Sequence, residues 1–137
     1  MSAQPTCKER WAKEKNGRIK DIRKLWRLYQ EGGEPDEDLG IFEEYGLCFD
    51  YVAPHTFNDQ KRGYFRYQLS YGGPSDEFRF LTEDPRNPEP EVAYWFTDWF
   101  DGYGLVLTGR DRNLLLEIWQ DFQETGTVQA QWDGAEF

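Results

Sequence analysis

Tyr64-Phe65-Arg66-Tyr67-Gln68-Leu69-Ser70-Tyr71-Gly72-Gly73-Pro74-Ser75-Asp76-Glu77-Phe78-Arg79-Phe80 is the stretch that decides the fold. Over residues 63–71, Phe65, Tyr67, Leu69 and Tyr71 mark one face of a strand. Tyr64, Arg66, Gln68 and Ser70 mark the other, a period of two. Gly72-Gly73-Pro74 is a turn: glycine supplies a positive φ and proline fixes the corner. Glu77 to Thr82 predicts the next strand, with Phe78 and Phe80 alternating with Arg79 and Leu81. Strands joined by so short a turn pair antiparallel.

The same alternation extends outward. Leu47, Phe49 and Tyr51 alternate with Cys48, Asp50 and Val52, predicting a strand over 46–53 closed by Pro54 and a polar loop over 54–62. Residues 83–90 hold three prolines and read as a loop. A fourth strand follows over 91–100, then a turn at Asp101-Gly102 and a short fifth strand over 103–108. In the fourth strand Tyr94, Phe96 and Phe100 share one face, and Trp95 and Trp99 the other. That pattern fits a central strand covered on both sides. It also fits a strand that leaves one aromatic face open to a partner.

Helical spacing brackets the strands. Ile22, Leu25, Trp26 and Tyr29 recur at i, i+3, i+4, i+7 within residues 5–31, with Gly17 a candidate break and Gly32-Gly33 and Pro35 the stop. Asp36 to Tyr45 predicts a short helical turn with Leu39, Phe42 and Tyr45 on one side. Asp111 is a candidate N-cap for a helix whose stripe is Leu114, Leu115, Ile118, Trp119 and Phe122, ended by Gly126. Residues 127–137 read as an edge strand or a disordered tail. The expected fold is α+β: a four- to five-stranded antiparallel meander with an N-terminal basic helix and a C-terminal amphipathic helix packed on it. The expected organisation is a basic arm over 1–35, a globular domain over 36–126 and the tail.

A length of 137 residues fits one domain. Mean hydropathy is −0.89, but aromatics make up 18% of the chain, enough to build a core. The net charge of −10 is uneven: residues 1–30 carry nine Lys/Arg against three Asp/Glu, leaving −16 on the rest. No apolar run approaches the ~20 residues of a membrane span, and residues 1–10 lack the apolar core of a secretory leader. The expected location is the cytoplasm, with Cys7 and Cys48 as free thiols.

Reactive constellations are sparse. His55 is the one histidine and stands in a loop, so no metal site and no cofactor is expected. Ser2, Ser70 and Ser75 sit in no nucleophile motif. Asp76-Glu77 and Asp98/Asp101, set among aromatics, invite comparison with glycosidase carboxylate pairs, but turn acids in water are the simpler reading. No catalytic residue is assigned, and a non-enzymatic protein is expected.

The runs Tyr64–Phe80 and Tyr94-Trp95-Phe96-Thr97-Asp98-Trp99-Phe100-Asp101-Gly102 resemble a group of small acidic proteins carried on plasmids, phages and integrated elements. The likeness spans about residues 45–126. It implies an accessory protein of a mobile element that counters host defence, of anti-restriction or anti-CRISPR type, some of which are acidic nucleic-acid mimics. The expected partner is a basic nucleic-acid-binding host protein, met through Asp76, Glu77, Glu83, Asp84, Asp98 and Asp101, with Trp95 and Trp99 as aromatic contacts. Glu34, Asp36, Glu37 and Asp38 form a second acidic cluster. One alternative is a nucleic-acid-binding module using Arg18, Arg23, Lys24 and Arg27 on phosphates. Another is a carbohydrate-binding module using Trp95 and Trp99.

Overall fold

The period-two stretches become a five-stranded antiparallel sheet in the order β1-β2-β3-β4-β5, a pure meander. The computed structural model describes residues 5–135; Ser2 and the outermost parts of the predicted arm and tail lie outside them. The strands are β1 (Cys48–Val52), β2 (Tyr64–Ser70), β3 (Pro74–Leu81), β4 (Glu91–Asp98) and β5 (Asp101–Val106). The helices are α1 (Cys7–Gln30), α2 (Phe42–Tyr45), α3 (Gly109–Glu124) and α4 (Thr127–Gly134). The expected α+β architecture is therefore the observed one.

Register decides which residues share a face. Phe49 and Tyr51 stand opposite Tyr67 and Phe65, which in turn face Phe78 and Phe80. Tyr94 and Val92 continue the row. On this face Trp119 of α3 packs on Phe65 and Phe80, at centroid distances of 5.3 and 4.9 Å. Trp11 of α1 meets Tyr94 edge-on at 6.0 Å. Trp132 of α4 meets Tyr51 at 5.0 Å. All these helix contacts fall on one side, so β4 is not sandwiched between helices. Its other face, carrying Ala93, Trp95 and Thr97, is shielded only by side chains and by the loop before β2.

α1 runs unbroken through Gly17, whose side is open to solvent. Its start is fixed by a capping box: the Thr6 hydroxyl accepts from the Glu9 N–H and Glu9 bonds back to Thr6. Ile19, Ile22, Leu25 and Trp26 are buried, as the spacing predicts. The segment is no separate arm. It lies along β4 and β5 as one layer of the domain.

Several boundaries differ from expectation, β3 among them, which begins at Pro74 rather than Glu77. The β4–β5 turn is Trp99-Phe100, with Asp98 opposite Asp101, two residues earlier than the sequence implied. Gly102 and Gly104 are strand residues that leave room for Thr97 and Trp95; a Cβ on Gly104 would enter the Trp95 ring. α3 is capped at Thr108, and Asp111 lies in its first turn. Residues 127–134 are helix α4, neither edge strand nor disordered, because Val128 finds complete burial and Trp132 an aromatic wall. Removing residues 127–137 is expected to lower stability by about 3 kcal/mol, given about 1.5–3 kcal/mol per large apolar side chain buried. The urea midpoint of the truncated chain reads this, and a dispensable tail would leave it unchanged.

Candidate functional site

The acids picked out by sequence divide according to what their strands do with them. Asp76 alternates onto the helix face of β3 and is 3% exposed. Its carboxylate accepts from Arg18 Nε at 2.7 Å and Nη2 at 3.1 Å, and from the Tyr94 and Ser70 hydroxyls at 2.5 Å each. Four donors satisfy it inside the domain, so it is not a surface contact. Burial, and then the bond to Asp76, push the Tyr94 phenol far up. Arg18 also donates to the Tyr45 hydroxyl, which in turn donates to Asp21. Arg18 is thus withdrawn from any role on phosphates.

Glu77 points to the opposite face, nearly buried, and accepts from Arg79 Nε at 2.8 Å. Arg79 lies over both the Tyr64 and the Trp95 rings, 4.5 and 4.3 Å from their centroids. Trp95 is therefore occupied by an intramolecular cation–π contact. Trp99 is not beside it. It sits at the hairpin tip with φ 58°, strained for a bulky residue. A shared two-tryptophan platform does not exist.

Asp98 and Asp101 hold α1. Asp98 pairs with Arg10 at 2.7 Å, and Asp101 accepts from the Cys7 N–H at 2.7 Å, which lowers its pKa. Glu83 accepts from Gly63 N–H and Asp84 from Arg86 N–H, at the far end of the sheet. Among the six acids, then, Glu83 and Asp84 are exposed on loops, and Asp101 is exposed at the start of β5. Of the second cluster, Asp36 pairs with Lys24 at 2.6 Å.

Two other surfaces come together instead. A cleft of about 660 Å³ between α1 and the start of α3 is lined by Lys20, Arg23, Lys24, Arg27 and Arg110, with Asp111 as its one acid. Lys15 and Arg23 reach Asp111 at 2.7 and 3.6 Å. On the other side lies a notch of about 360 Å³ between α2, β1 and the end of α3. Phe42, Phe49, Tyr67 and Phe122 form its walls, and Glu43 and Asp121 its rim. Phe122 stands edge-on to Phe49 and Tyr67, at 4.9 and 5.7 Å.

No cation balances that rim among the described residues. Asp121 receives only a long bond, 3.5 Å, from the Tyr29 hydroxyl. Burial and the charges of Glu124 and Glu43 raise its pKa above the usual carboxylate value. Asp121 and Glu124 also sit in the last turn of α3, where the helix dipole disfavours negative charge. Spacing did not disclose this site, because its acids lie on two helices separated by the whole sheet. The one sequence cue was an α3 ending in acids with no Lys or Arg.

The notch opens at the end of the sheet where β1 and β5 begin. The same end carries Leu47, Tyr71, Trp99 and Phe100, all exposed. The Trp99 N–H reaches the Gly73 carbonyl at 3.4 Å, joining the two aromatic turns. β1 and β4 are three strand spacings apart, about 14 Å.

Among the described residues no cluster of His, Cys, Asp and Glu is placed to hold a metal, and no helix is long and apolar enough to cross a membrane. No family model, curated protein or solved structure matches the chain.

Arg18→Ala is expected to cost about 3 kcal/mol, near the lower range for breaking a buried pair because Ser70 and Tyr94 still donate to Asp76. Arg18→Lys should recover part of it in the same denaturation measurement. Asp121 binds its proton more tightly folded than unfolded, so its ionisation costs stability as pH rises from about 3.8 through the raised value. Asp121→Asn is therefore expected to stabilise the fold at pH 7, by about 0.5 kcal/mol, and to make no difference at pH 3. Thermal melts at the two pH values check the sign.

Proposed function

We propose that the chain is a non-enzymatic accessory protein of a mobile element. It binds, and thereby inhibits, a basic nucleic-acid-handling protein of host defence, of anti-restriction or anti-CRISPR type. The observation that carries the reading is the uncompensated acid at the end of α3 and on α2. Five of the nine cations of α1 are matched inside the fold: Arg10, Lys15, Arg18, Arg23 and Lys24 each have a carboxylate partner. Glu43, Asp121 and Glu124 have none among the described residues. Carboxylates kept against a helix dipole, and against each other, cost stability in the free chain and gain it only when a cation arrives.

The exposed aromatics at the same end supply what acids alone lack. Leu47, Tyr71, Trp99 and Phe100 offer apolar anchors beside a charged rim, the usual anatomy of a protein interface. Trp99 holds a backbone conformation worth about 1–2 kcal/mol of strain, a common mark of functional turns. Contacts at this end replace the partner surface first read from sequence, since Asp76, Glu77, Asp98 and Asp101 serve the fold.

A second reading rests on the basic cleft. Lys20, Arg27 and Arg110, with Arg23 and Lys24 partly engaged, line a groove that fits a phosphate backbone. In this reading Lys20 and Arg110 take the place of Arg18.

Immobilised chain should capture, from bacterial lysate, proteins that duplex DNA then elutes, and the eluted activity should fall when free chain is added. Reversing charge at Glu43, Asp121 and Glu124 to Lys should weaken that capture at least tenfold at physiological salt. Direct binding of the chain to duplex DNA, weakening steeply with salt and unaffected by the reversals, would favour the cleft instead.

A further inference from the structure

We infer that the notch between α2, β1 and α3 is a receptor for a single arginine side chain projecting from the partner. This rests on the reading that the partner is a basic protein. Three features of the notch converge on a guanidinium. Its volume of about 360 Å³ suits one long side chain rather than a chain segment. Its walls are aromatic, from Phe49, Phe122, Tyr29 and Tyr67, two of them fixed edge-on to a third. A planar cation stacks on such faces, and a guanidinium is desolvated at less cost than an ammonium. Its rim carries Glu43 and Asp121, and the described residues place no Lys or Arg there.

A further polar group is left unused. Tyr67 is 5% exposed, and its hydroxyl, which makes no hydrogen bond among the described residues, still reaches solvent at the notch wall. Its phenol end lies against Gly46, on the notch wall, so close that a Cβ at Gly46 would collide with it. Burial pushes that phenol far up, so it stays neutral and keeps an oxygen free to accept. An entering N–H donor would satisfy it while the carboxylates hold the charge. Arginine, with five donors in a fixed fork, can serve a rim carboxylate and an inner hydroxyl together.

Other occupants are separable. An apolar side chain would use the rings and ignore the rim. The basic cleft of a second copy would fill the notch by self-association.

The full-length chain, isotope-labelled, is titrated with the peptide Ac-Ala-Arg-Ala-NH2 and with the same peptide bearing citrulline or norleucine. The arginine peptide is expected to shift resonances of Gly46, Phe49, Tyr67 and Phe122, with a dissociation constant in the millimolar range. Citrulline and norleucine should leave them unmoved. A chain with E43Q and D121N, which add no bulk, should bind arginine at least fivefold more weakly with a melting temperature no lower than that of the parent chain. Equal shifts from norleucine, shifts confined to Trp99 and Phe100, or a concentration-dependent dimer that closes the notch would each overturn the inference. If no arginine-specific shift appears but DNA-eluted proteins are still captured, and charge reversal still abolishes capture, the inference falls and the binding reading stands. If capture fails as well, both fall.

Discussion

A single carboxylate ties the layers together. Asp76 lies inside the domain between the sheet and α1, and takes donors from α1, β2 and β4. Removing such a group from water is tolerable only when its lone pairs are filled and a full countercharge is at hand. Arg18 supplies that charge, and Tyr94 and Ser70 fill the rest. This one requirement sets the position of α1 along the sheet. It also fixes the Arg18 side chain, which then orders Tyr45 and, through it, Asp21.

The remaining pairs extend the same logic along the helix. Arg10 meets Asp98, the Cys7 N–H meets Asp101, Lys15 and Arg23 meet Asp111, and Lys24 meets Asp36. The outer pairs are partly exposed, and each contributes little alone. Together they fix register, while Ile19, Ile22, Leu25 and Trp26 supply the apolar burial. Five of the nine cations of the first thirty residues are thus paired inside one domain, while the chain keeps its net charge of −10. Acid without a cation remains at the end of α3 and on α2, as at other surface positions, and base remains along the α1–α3 cleft.

In the proposed function, that remainder is where recognition belongs. A folded chain settles its buried charges at home and leaves at its surface those that wait for a partner. The acidic notch combines such charge with aromatic walls and the phenol end of Tyr67. The neighbouring turns add exposed rings on a strained backbone.

From sequence alone, the periodicities were enough for the α+β class, the meander, both long helices and most strand cores, because period and turn chemistry are local. Phe65, Phe78 and Phe80 could be placed on the buried face by counting in twos. The hairpin tip at Trp99-Phe100 could not, since it depends on Gly102 and Gly104 lying across from Thr97 and Trp95. Nor could α4, whose helix exists for the burial of Val128 and Trp132 more than for its own propensity. Which acids face water was equally out of reach: Asp76 and Glu77 are adjacent in the chain, yet alternate to opposite faces with different partners. Local chemistry determined the elements. Only the tertiary structure decided which charges cancel, because a carboxylate's role is set by the cation that packing brings to it, often from fifty or more residues away.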